Sequence, residues 1–317
     1  MILSLSHVDL DGVSCQFVLG DCFGMITKMN IGYDKIDEYI ENVDGFCTNS
    51  KPTSVFITDL SFTYEQLNRL TRVVDRHEDI LFYFIDHHPF EEDFKDLKRS
   101  NFVIIISNKA SASMLTYKYL ESRFNYKPNN IIGQYIKNVN AYDIWSENES
   151  EFKVGFVYNE LFWNYGIKHF VSRFNGNYNL NNKDKEKYKE IIGKKNKLFN
   201  KLKESGRIFE IENKSIFMIF IDEFISHVTL DFKGFKTYII VTSRGSISVR
   251  LKDVKDKGAM KNLVFKKVSF LPNILNYGGH DAAFGIKLID NSPKLLIEFS
   301  KELLNIMNDY LNDAKEI

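Results

Sequence analysis

The sequence has few cysteines and no excess of charge of either sign. Its 317 residues include three cysteines, an odd number with no CxxC spacing. We interpret them as free thiols in a reducing cytoplasm, which argues against a disulfide-bonded secreted protein. Basic and acidic residues are equal, at 42 each, whereas proteins that coat long nucleic acids usually carry a positive excess. The composition therefore favours a small or short substrate bound in a local pocket.

Long apolar runs are missing as well. The longest ones, such as residues 216–221, are far too short to span a bilayer. Polar His7, Asp9 and Asp11 interrupt the N-terminus at once, so no signal peptide is expected. Internal repeats and low-complexity segments are absent from the sequence. We therefore expect a cytoplasmic protein without membrane association, long enough for one large or two medium domains.

The first half alternates short apolar runs with helical patterns, which predicts an α/β fold with a parallel sheet. No tight turns that would join two-strand hairpins are found there. Strands are predicted over residues 1–6, 53–58, 80–85 and 102–106, and helices over residues 13–20, 64–77, 112–124 and 131–139.

The character of the sequence changes after a lysine-rich segment at residues 182–205. This segment predicts a solvated connecting helix with Asn182 as its N-cap, and a basic face for RNA is the alternative. We expect an N-terminal domain over 1–180, a helical linker over 181–205 and a smaller α/β domain over 206–317. Beyond the linker, strands are predicted at 208–211, 215–221, 237–242 and 246–251, and helices at 271–276 and 292–311.

Acidic and imidazole side chains follow three of the predicted strands. Because the carboxyl ends of parallel strands lie at one edge of a sheet, where ligands bind, we expect these side chains to converge. Asp143, which follows a later helix, is a further candidate. The residues at the strand ends are His7, Asp9 and Asp11 after the first strand, Asp59 after the second, and Asp86, His87 and His88 after the third.

Such a cluster predicts bound metal. Several carboxylates within a few ångströms repel each other and take up protons unless a cation neutralises them. Aspartate oxygens combined with two imidazoles suit a divalent ion, and this number of carboxylates favours Mn²⁺ over Zn²⁺. Two ions roughly 3.5–4 Å apart would activate a water molecule and stabilise a phosphoryl-transfer transition state.

Each of these residues has a simpler interpretation when taken alone. His7 could be a structural histidine, and Asp59 could cap the next helix. His87 and His88 could lie on the surface. In an extended chain His7, Asp9 and Asp11 would all point one way, and Gly12 would allow a tight turn and a close backbone approach. The metal site is favoured because the simpler interpretations require several coincidences at matching strand ends.

Four motifs together resemble those of the DHH phosphoesterase superfamily. They are SHVDLDG at 6–12, TD at 58–59, IDHH at 85–88 and YDIW at 142–145. The segment NYGGHDAAFG at 276–285 is similar to the GGGHxxAAG signature of the associated DHHA1 domain. The opening SHVDLDGVSC particularly resembles the nano-RNase B type, which comprises oligoribonucleases or cyclic-mononucleotide phosphodiesterases. The resemblance implies a DHH domain followed by a DHHA1 domain.

This resemblance implies two Mn²⁺ ions, with Mg²⁺ or Co²⁺ as substitutes, and a bridging water as the nucleophile. Asp59 would bridge both ions, and His88 would act with Asp86 in orienting ligands and contacting the phosphate. The sequence identifies no general acid. The other implied ligands are His7 and Asp9 for one ion, and Asp11, His87 and Asp143 for the other.

The DHHA1 domain would bind the substrate. Gly278 and Gly279 would let backbone amides approach a phosphate, and His280 would contact the scissile group. Arg250, at the end of a predicted strand, resembles a phosphate-binding arginine of the family, with an exposed strand arginine as the alternative. Tyr277 replaces the first glycine that many members have, so this loop would be stiffer.

Residues 111–113 open the helix after the fourth strand. The hydroxyls of Ser111 and Ser113 could bind a phosphate, but ordinary N-capping is the preferred interpretation.

The implied function is hydrolysis of short RNA oligonucleotides from the 3′ end to 5′-mononucleotides. Alternative substrates are cyclic dinucleotides or their linear products, cyclic mononucleotides, and 3′-phosphoadenosine 5′-phosphate. A RecJ-like exonuclease on single-stranded DNA is another alternative, although that group usually carries further binding modules. A non-catalytic nucleic-acid-binding protein is disfavoured, because all the implied ligands are present. The oligomeric state stays open, a homodimer being one option.

Overall fold

The chain divides into two compact units, Met1–Tyr188 and Lys189–Ile317. Each unit has a hydrophobic core of its own. Nowhere in the described part of the chain is a helix long and apolar enough to cross a membrane. The computed structural model describes residues 1–88, 90, 94–204, 208–211, 216–221, 237–242, 245–251, 254–280 and 283–313.

The first unit contains a five-stranded parallel sheet in the order β2-β1-β3-β4-β5, which confirms the predicted α/β fold. Its strands are β1 (Ile2–His7), β2 (Thr27–Ile31), β3 (Ser54–Thr58), β4 (Leu81–Asp86) and β5 (Phe102–Ile106). Its helices are α1 (Leu10–Phe23), α2 (Ile36–Ser50), α3 (Tyr64–Arg76), α4 (Ala112–Phe124), α5 (Asn130–Asp143), α6 (Ser150–Tyr165) and α7 (Ile167–Phe174). A longer helix, α8 (Asn182–Glu204), crosses the boundary between the units.

The central strands β3 and β4 are buried along almost their whole length. Strands covered on both faces need near-continuous apolar sequences, and this is why their runs were recognisable. Phe56 of β3 stacks on Tyr83 of β4 with ring centroids 4.3 Å apart. The apolar interior thus holds the strand ends in a fixed position.

The turn between β1 and α1 differs from the prediction. Helix α1 begins at Leu10 rather than near residue 13, because the Asp9 side chain caps it by accepting a hydrogen bond of 2.9 Å from the Gly12 amide. The prediction of an extended chain from His7 to Asp11 is therefore wrong. The predicted close approach at Gly12 is confirmed, since a Cβ atom there would lie 2.4 Å from the carbonyl oxygen of His7.

Among the described residues, the second unit contains a six-stranded sheet in the order β10-β11-β9-β8-β7-β6, in which β7 and β8 pair in parallel and the other neighbours are antiparallel. Alternating residues of β9 and β11 are buried against helices α9 and α10. The elements are β6 (Ile208–Ile211), β7 (Ile216–Ile221), β8 (Thr237–Thr242), β9 (Ser246–Leu251), α9 (Lys257–Val268), β10 (Ile274–His280), β11 (Ala283–Leu288) and α10 (Pro293–Asp313).

Two local predictions are wrong in and near this unit. The predicted helix over 271–276 is instead the start of β10, because Asn273 takes φ +76° and the following residues pair with β11. The N-cap of α8 is Asn181 rather than Asn182, since Asn181 Oδ1 accepts a 3.0 Å hydrogen bond from the Asp184 amide. Ser205 and Ser215, at the ends of predicted elements, lie outside the described residues.

Candidate metal centre

The strand register brings the ends of β1, β3 and β4 to one level. Ser6 pairs with Thr58, and Thr58 pairs with Ile85, so the residues that follow lie side by side. The strand order reverses between β1 and β3, because β2 adds to one side of β1 and all later strands add to the other. Such a switch point opens a crevice at the carboxyl edge of the sheet, where ligands bind.

Six of the predicted site residues form two ligand groups at this edge. Within each group one nitrogen or oxygen atom per residue lies within 4.8 Å of the others. Bonds of about 2.1 Å to a common ion could close this spacing with small side-chain rotations. Asp59 also forms a third group with His87 and His88. The two main groups are His7, Asp9 and Asp59, and Asp11, His87 and Asp143.

Several atoms of the cluster lack hydrogen-bond partners. Oδ2 of Asp59 and Oδ2 of Asp143 are buried and accept no hydrogen bond from the described residues. Nδ1 of His7 lies 2.8 Å from Asp9 Oδ2, but the arrangement is not that of a hydrogen bond. Buried polar atoms are rarely left unpaired without a reason. Orphaned carboxylate and imidazole donors at this spacing fit a divalent metal ion.

The electrostatics of the cluster favour a bound cation. Burial, together with the neighbouring aspartates, raises the pKa of Asp59 and of Asp143 well above the usual value. Asp143 lies in the last turn of α5, where the helix dipole also disfavours a negative charge. The raised pKa values of these two carboxyls favour their protonated forms, and a bound cation would favour the ionised forms instead.

Asp11 is held in place by the start of α4. Both the amide and the hydroxyl of Ser113 donate to its carboxylate, the amide at 3.2 Å from Oδ1. Ser111 is the N-cap of α4, and its Oγ lies 3.0 Å from that of Ser113. The preferred interpretation of Ser111 as a cap is confirmed, while Ser113 orients a candidate metal ligand.

His88 and His7 share a neighbour that the sequence did not indicate. Nδ1 of His88 lies 2.8 Å from Asp86 Oδ1, and its Nε2 lies 3.1 Å from the Tyr33 hydroxyl. The Tyr33 ring stacks on the His7 imidazole at 4.2 Å. Burial alone would lower the pKa of His88, but Asp86 and nearby carboxylates raise it above the usual value. Tyr33 thus positions the imidazoles of His7 and His88, and Asp86 favours the charged form of His88.

Asp59 has an unusual backbone conformation. Its φ of +58° is left-handed, a region that aspartate and asparagine enter more readily than other residues with side chains. Its amide donates to the Ile85 carbonyl at 3.0 Å, which extends the contact between β3 and β4. The residue with this conformation belongs to the ligand group of His7 and Asp9, and its Oδ1 lies 3.3 Å from Nε2 of His87 in the other group.

The remaining predicted site residues lie in the second unit. Arg250 and His280 both pair with Ala283, from strands on either side of β11. Gly278 and Gly279 lie within β10 and not in a loop, so that part of the prediction is wrong. A Cβ atom on Gly279 would lie 2.6 Å from the Ala283 carbonyl oxygen, so β11 itself requires this glycine. The His280 side chain and residues 281–282 lie outside the described part of the structure.

The donor set determines what the centre can do. Two divalent ions held there would lower the pKa of a bound water and stabilise the charge on phosphoryl oxygens. A protonated His88, held by Asp86 at Nδ1, would donate a hydrogen bond from Nε2 to an anionic oxygen that takes the place of the Tyr33 hydroxyl. The arrangement therefore suits hydrolysis of a phosphate ester.

Comparison with known proteins supports this chemistry. No protein-family model matches the chain. The chain is 30% identical over 175 residues to oligoribonuclease NrnB of Bacillus subtilis, which covers 53% of this chain and 43% of that protein. It is 24% identical over 166 residues to the 3′,5′-cyclic-nucleotide phosphodiesterase of Helicobacter pylori, which covers 49% of this chain and 47% of that protein.

These alignments span less than half the length of the two curated relatives. Among solved structures, exonuclease RecJ bound to manganese is similar at a TM-score of 0.46 and 13% identity, covering 95% of this chain and 88% of that chain. The names of both curated relatives are those of phosphoric ester hydrolases. They confirm the resemblance to DHH phosphoesterases.

Proposed function

We propose that this chain is a manganese-dependent phosphodiesterase that hydrolyses short RNA from the 3′ end and releases 5′-mononucleotides. The observation that carries the proposal is that the two ligand groups lie together at one sheet edge, where Oδ1 of Asp59 in the first group lies 3.3 Å from Nε2 of His87 in the second. One relative is named an oligoribonuclease, and the net charge of zero fits a short substrate better than a long polyanion.

The residues of the chain have distinct roles in this proposal. Asp59 would help to hold both ions, and the amide and hydroxyl of Ser113 keep the Asp11 carboxylate oriented. Nε2 of His88 would donate to a phosphate oxygen in place of the Tyr33 hydroxyl, while Asp86 holds Nδ1. Arg250, Gly278, Gly279 and His280 remain predictions for substrate binding by the second unit.

A cyclic-nucleotide phosphodiesterase is the second candidate, since the other curated relative carries that name. The metal centre serves either reaction, because both break a phosphodiester with a water molecule. The two functions differ only in the substrate that is consumed.

A digestion panel with Mn²⁺ tests the proposal. The substrates are 5′-labelled RNA and DNA of about two to 24 nucleotides, linear and cyclic dinucleotides, cyclic mononucleotides, and 3′-phosphoadenosine 5′-phosphate. We expect rapid loss of the shortest RNAs with mononucleotide products. Cleavage of a cyclic nucleotide alone, or of long single-stranded DNA alone, would refute the RNA assignment and leave the metal chemistry standing.

The matched variants are Asp59→Asn and Asp309→Asn. Asparagine tolerates the left-handed backbone of position 59, so the first change removes the charge with little added strain. Asp309 is exposed on α10, and its change should leave hydrolysis unaltered. An Asp59→Asn protein that retains full activity would contradict the proposed metal centre.

A further inference from the structure

A cavity of about 180 Å³ lies beside the candidate metal ligands in the first unit. Part of its lining is acidic and belongs to the centre already described, namely Asp9, Asp11 and Asp143. Further lining comes from Tyr142 at the end of α5 and from α6, whose residues have no role in metal binding. The α6 residues that line the cavity are Asn159 and Trp163.

The amide of Asn159 has a defined orientation. Its Oδ1 accepts a hydrogen bond of 3.1 Å from Nε1 of Trp163. Because an indole N–H can only donate, the amide oxygen and not the NH₂ group must face Trp163. Its NH₂ group has no acceptor among the described residues, although the residue is only 5% exposed. A buried amide that lines a cavity with unused donors indicates a ligand that carries hydrogen-bond acceptors.

Trp163 supplies an aromatic surface to the same cavity. It is 45% exposed, while its ring packs edge-on against Phe162 at 5.3 Å. Its indole nitrogen is held by Asn159, so the ring is positioned before any ligand arrives. A fixed aromatic face of this kind is suited to stacking with a planar heterocycle.

We infer that this cavity binds the nucleobase adjoining the scissile phosphate, with Trp163 stacking on the base and Asn159 donating to its edge. The inference deepens the proposed function and rests on it, since the phosphate must lie at the metal centre for the base to reach this cavity. The acidic part of the lining would hold the metal ions beside the phosphate ester, and the aromatic part would face the base.

Abasic substrates test the inference. For a diribonucleotide, Trp163→Ala should lower kcat/KM on the order of 10- to 100-fold, mainly through KM, which is the scale of base–aromatic stacking. Two analogues of the diribonucleotide each lack one of its two bases. The same change should have little effect on the analogue that lacks the base bound in this cavity. Trp163→Phe keeps a stacking face and should retain most of the activity.

A merely structural role for Trp163 gives a different pattern. Trp163→Ala would then lower the activity on intact and both abasic substrates equally, and this result would overturn the inference. Ile131→Ala is the control, because Ile131 is exposed to a similar extent, 47%, on neighbouring α5. It should leave every substrate unaffected.

Fluorescence measures binding without hydrolysis. The chain has two tryptophans, so the Trp163→Phe variant reports on Trp145 alone. Adenosine should change the emission of the wild-type protein saturably, ribose should not, and the variant should lose the response. No response to adenosine would overturn the inference. A response in a protein that cleaves no phosphodiester would contradict the proposed function and leave the base pocket standing.

Discussion

Asp59 combines three features that are unfavourable in isolation. Its backbone is left-handed, at φ +58°, its side chain is 2% exposed, and its Oδ2 has no hydrogen-bond partner in the described structure. Strained backbones and unpaired buried oxygens persist where a functional ligand stabilises them. The residue is therefore the one on which metal binding should depend most.

The Asp59→Asn variant should lose the stabilisation that Mn²⁺ confers on the wild-type protein. An ion present at about 100 times its dissociation constant raises the free energy of unfolding by about 2.7 kcal/mol, and the variant should gain less than about 1 kcal/mol of this. Urea unfolding with and without Mn²⁺ measures the difference. An equal gain in both proteins would show that Asp59 is not a ligand.

The stability of the metal-free protein should depend on pH through Asp59 and Asp143. Their raised pKa values mean that the folded state keeps protons that the unfolded chain releases above about pH 4. Between the unfolded pKa of about 4 and the raised pKa of the folded state, the folded state binds more protons than the unfolded chain. The free energy of unfolding therefore falls as the pH rises through this range. Thermal unfolding in a chelator should thus give a lower Tm at pH 8 than at pH 5.5.

Mn²⁺ should remove or reverse this trend, because metal ligands bind as deprotonated groups. The Asp59→Asn variant provides the control, and its metal-free Tm should vary less with pH than that of the wild type. A metal-free Tm that rises steadily from pH 5.5 to 8 would contradict the assignment of protonated carboxyls to this cluster.

Helices α5 and α6 approach closely at Gly155. A Cβ atom there would lie 2.0 Å from the Asn138 carbonyl oxygen and 2.7 Å from Tyr142 Cβ. Overpacking of this kind costs about 1–3 kcal/mol, so Gly155→Ala should lower the free energy of unfolding by at least that amount. It should also weaken Mn²⁺ binding, since Asp143 follows Tyr142 directly.

Gly45→Ala is the matched control for this prediction. Gly45 lies in α2, and a Cβ atom there would meet nothing within 4 Å. Alanine is favoured over glycine in a helix by about 1 kcal/mol, so this variant should be more stable than the wild type. Urea unfolding measures the stability of both variants. A Gly155→Ala protein as stable as the wild type would contradict the close contact between α5 and α6.

The elements that were predicted correctly have a strong sequence signal. Strands β3 and β4 are buried on both faces, so their sequences are continuous apolar runs. Helix α6 was not predicted, because its sequence is apolar on most sides and lacks a clear 3.6-residue period. Strand β10 was mistaken for a helix, because its pairing with β11 overrides the helical spacing of Leu271, Ile274 and Leu275.

The site residues were likewise predictable only where the sequence pattern indicates their position. The candidate metal ligands were predictable because parallel strands bring their carboxyl ends together. Tyr33 was missed, since it lies in a short 3₁₀ helix after β2 and no pattern links it to His7. Asn159 and Trp163 were missed as well, because only the packing of α6 beside α5 brings them to the centre.

The balanced charge of the whole molecule conceals a local imbalance. Equal numbers of acidic and basic residues coexist with a sheet edge that gathers four aspartates and two histidines into the ligand groups. A cation bound at this edge would offset the negative charge of the aspartates, so we expect metal content and stability to be coupled.

The most direct test is a calorimetric titration of the metal-free protein with Mn²⁺, because it counts the ions that the centre holds. We expect two ions per chain, and proton release that grows as the pH is lowered from 8 to 6. Asp59→Asn should bind fewer than two, while Asp309→Asn should match the wild type. A wild-type protein that binds no Mn²⁺, or one whose binding is unchanged by Asp59→Asn, would contradict the two-ion centre.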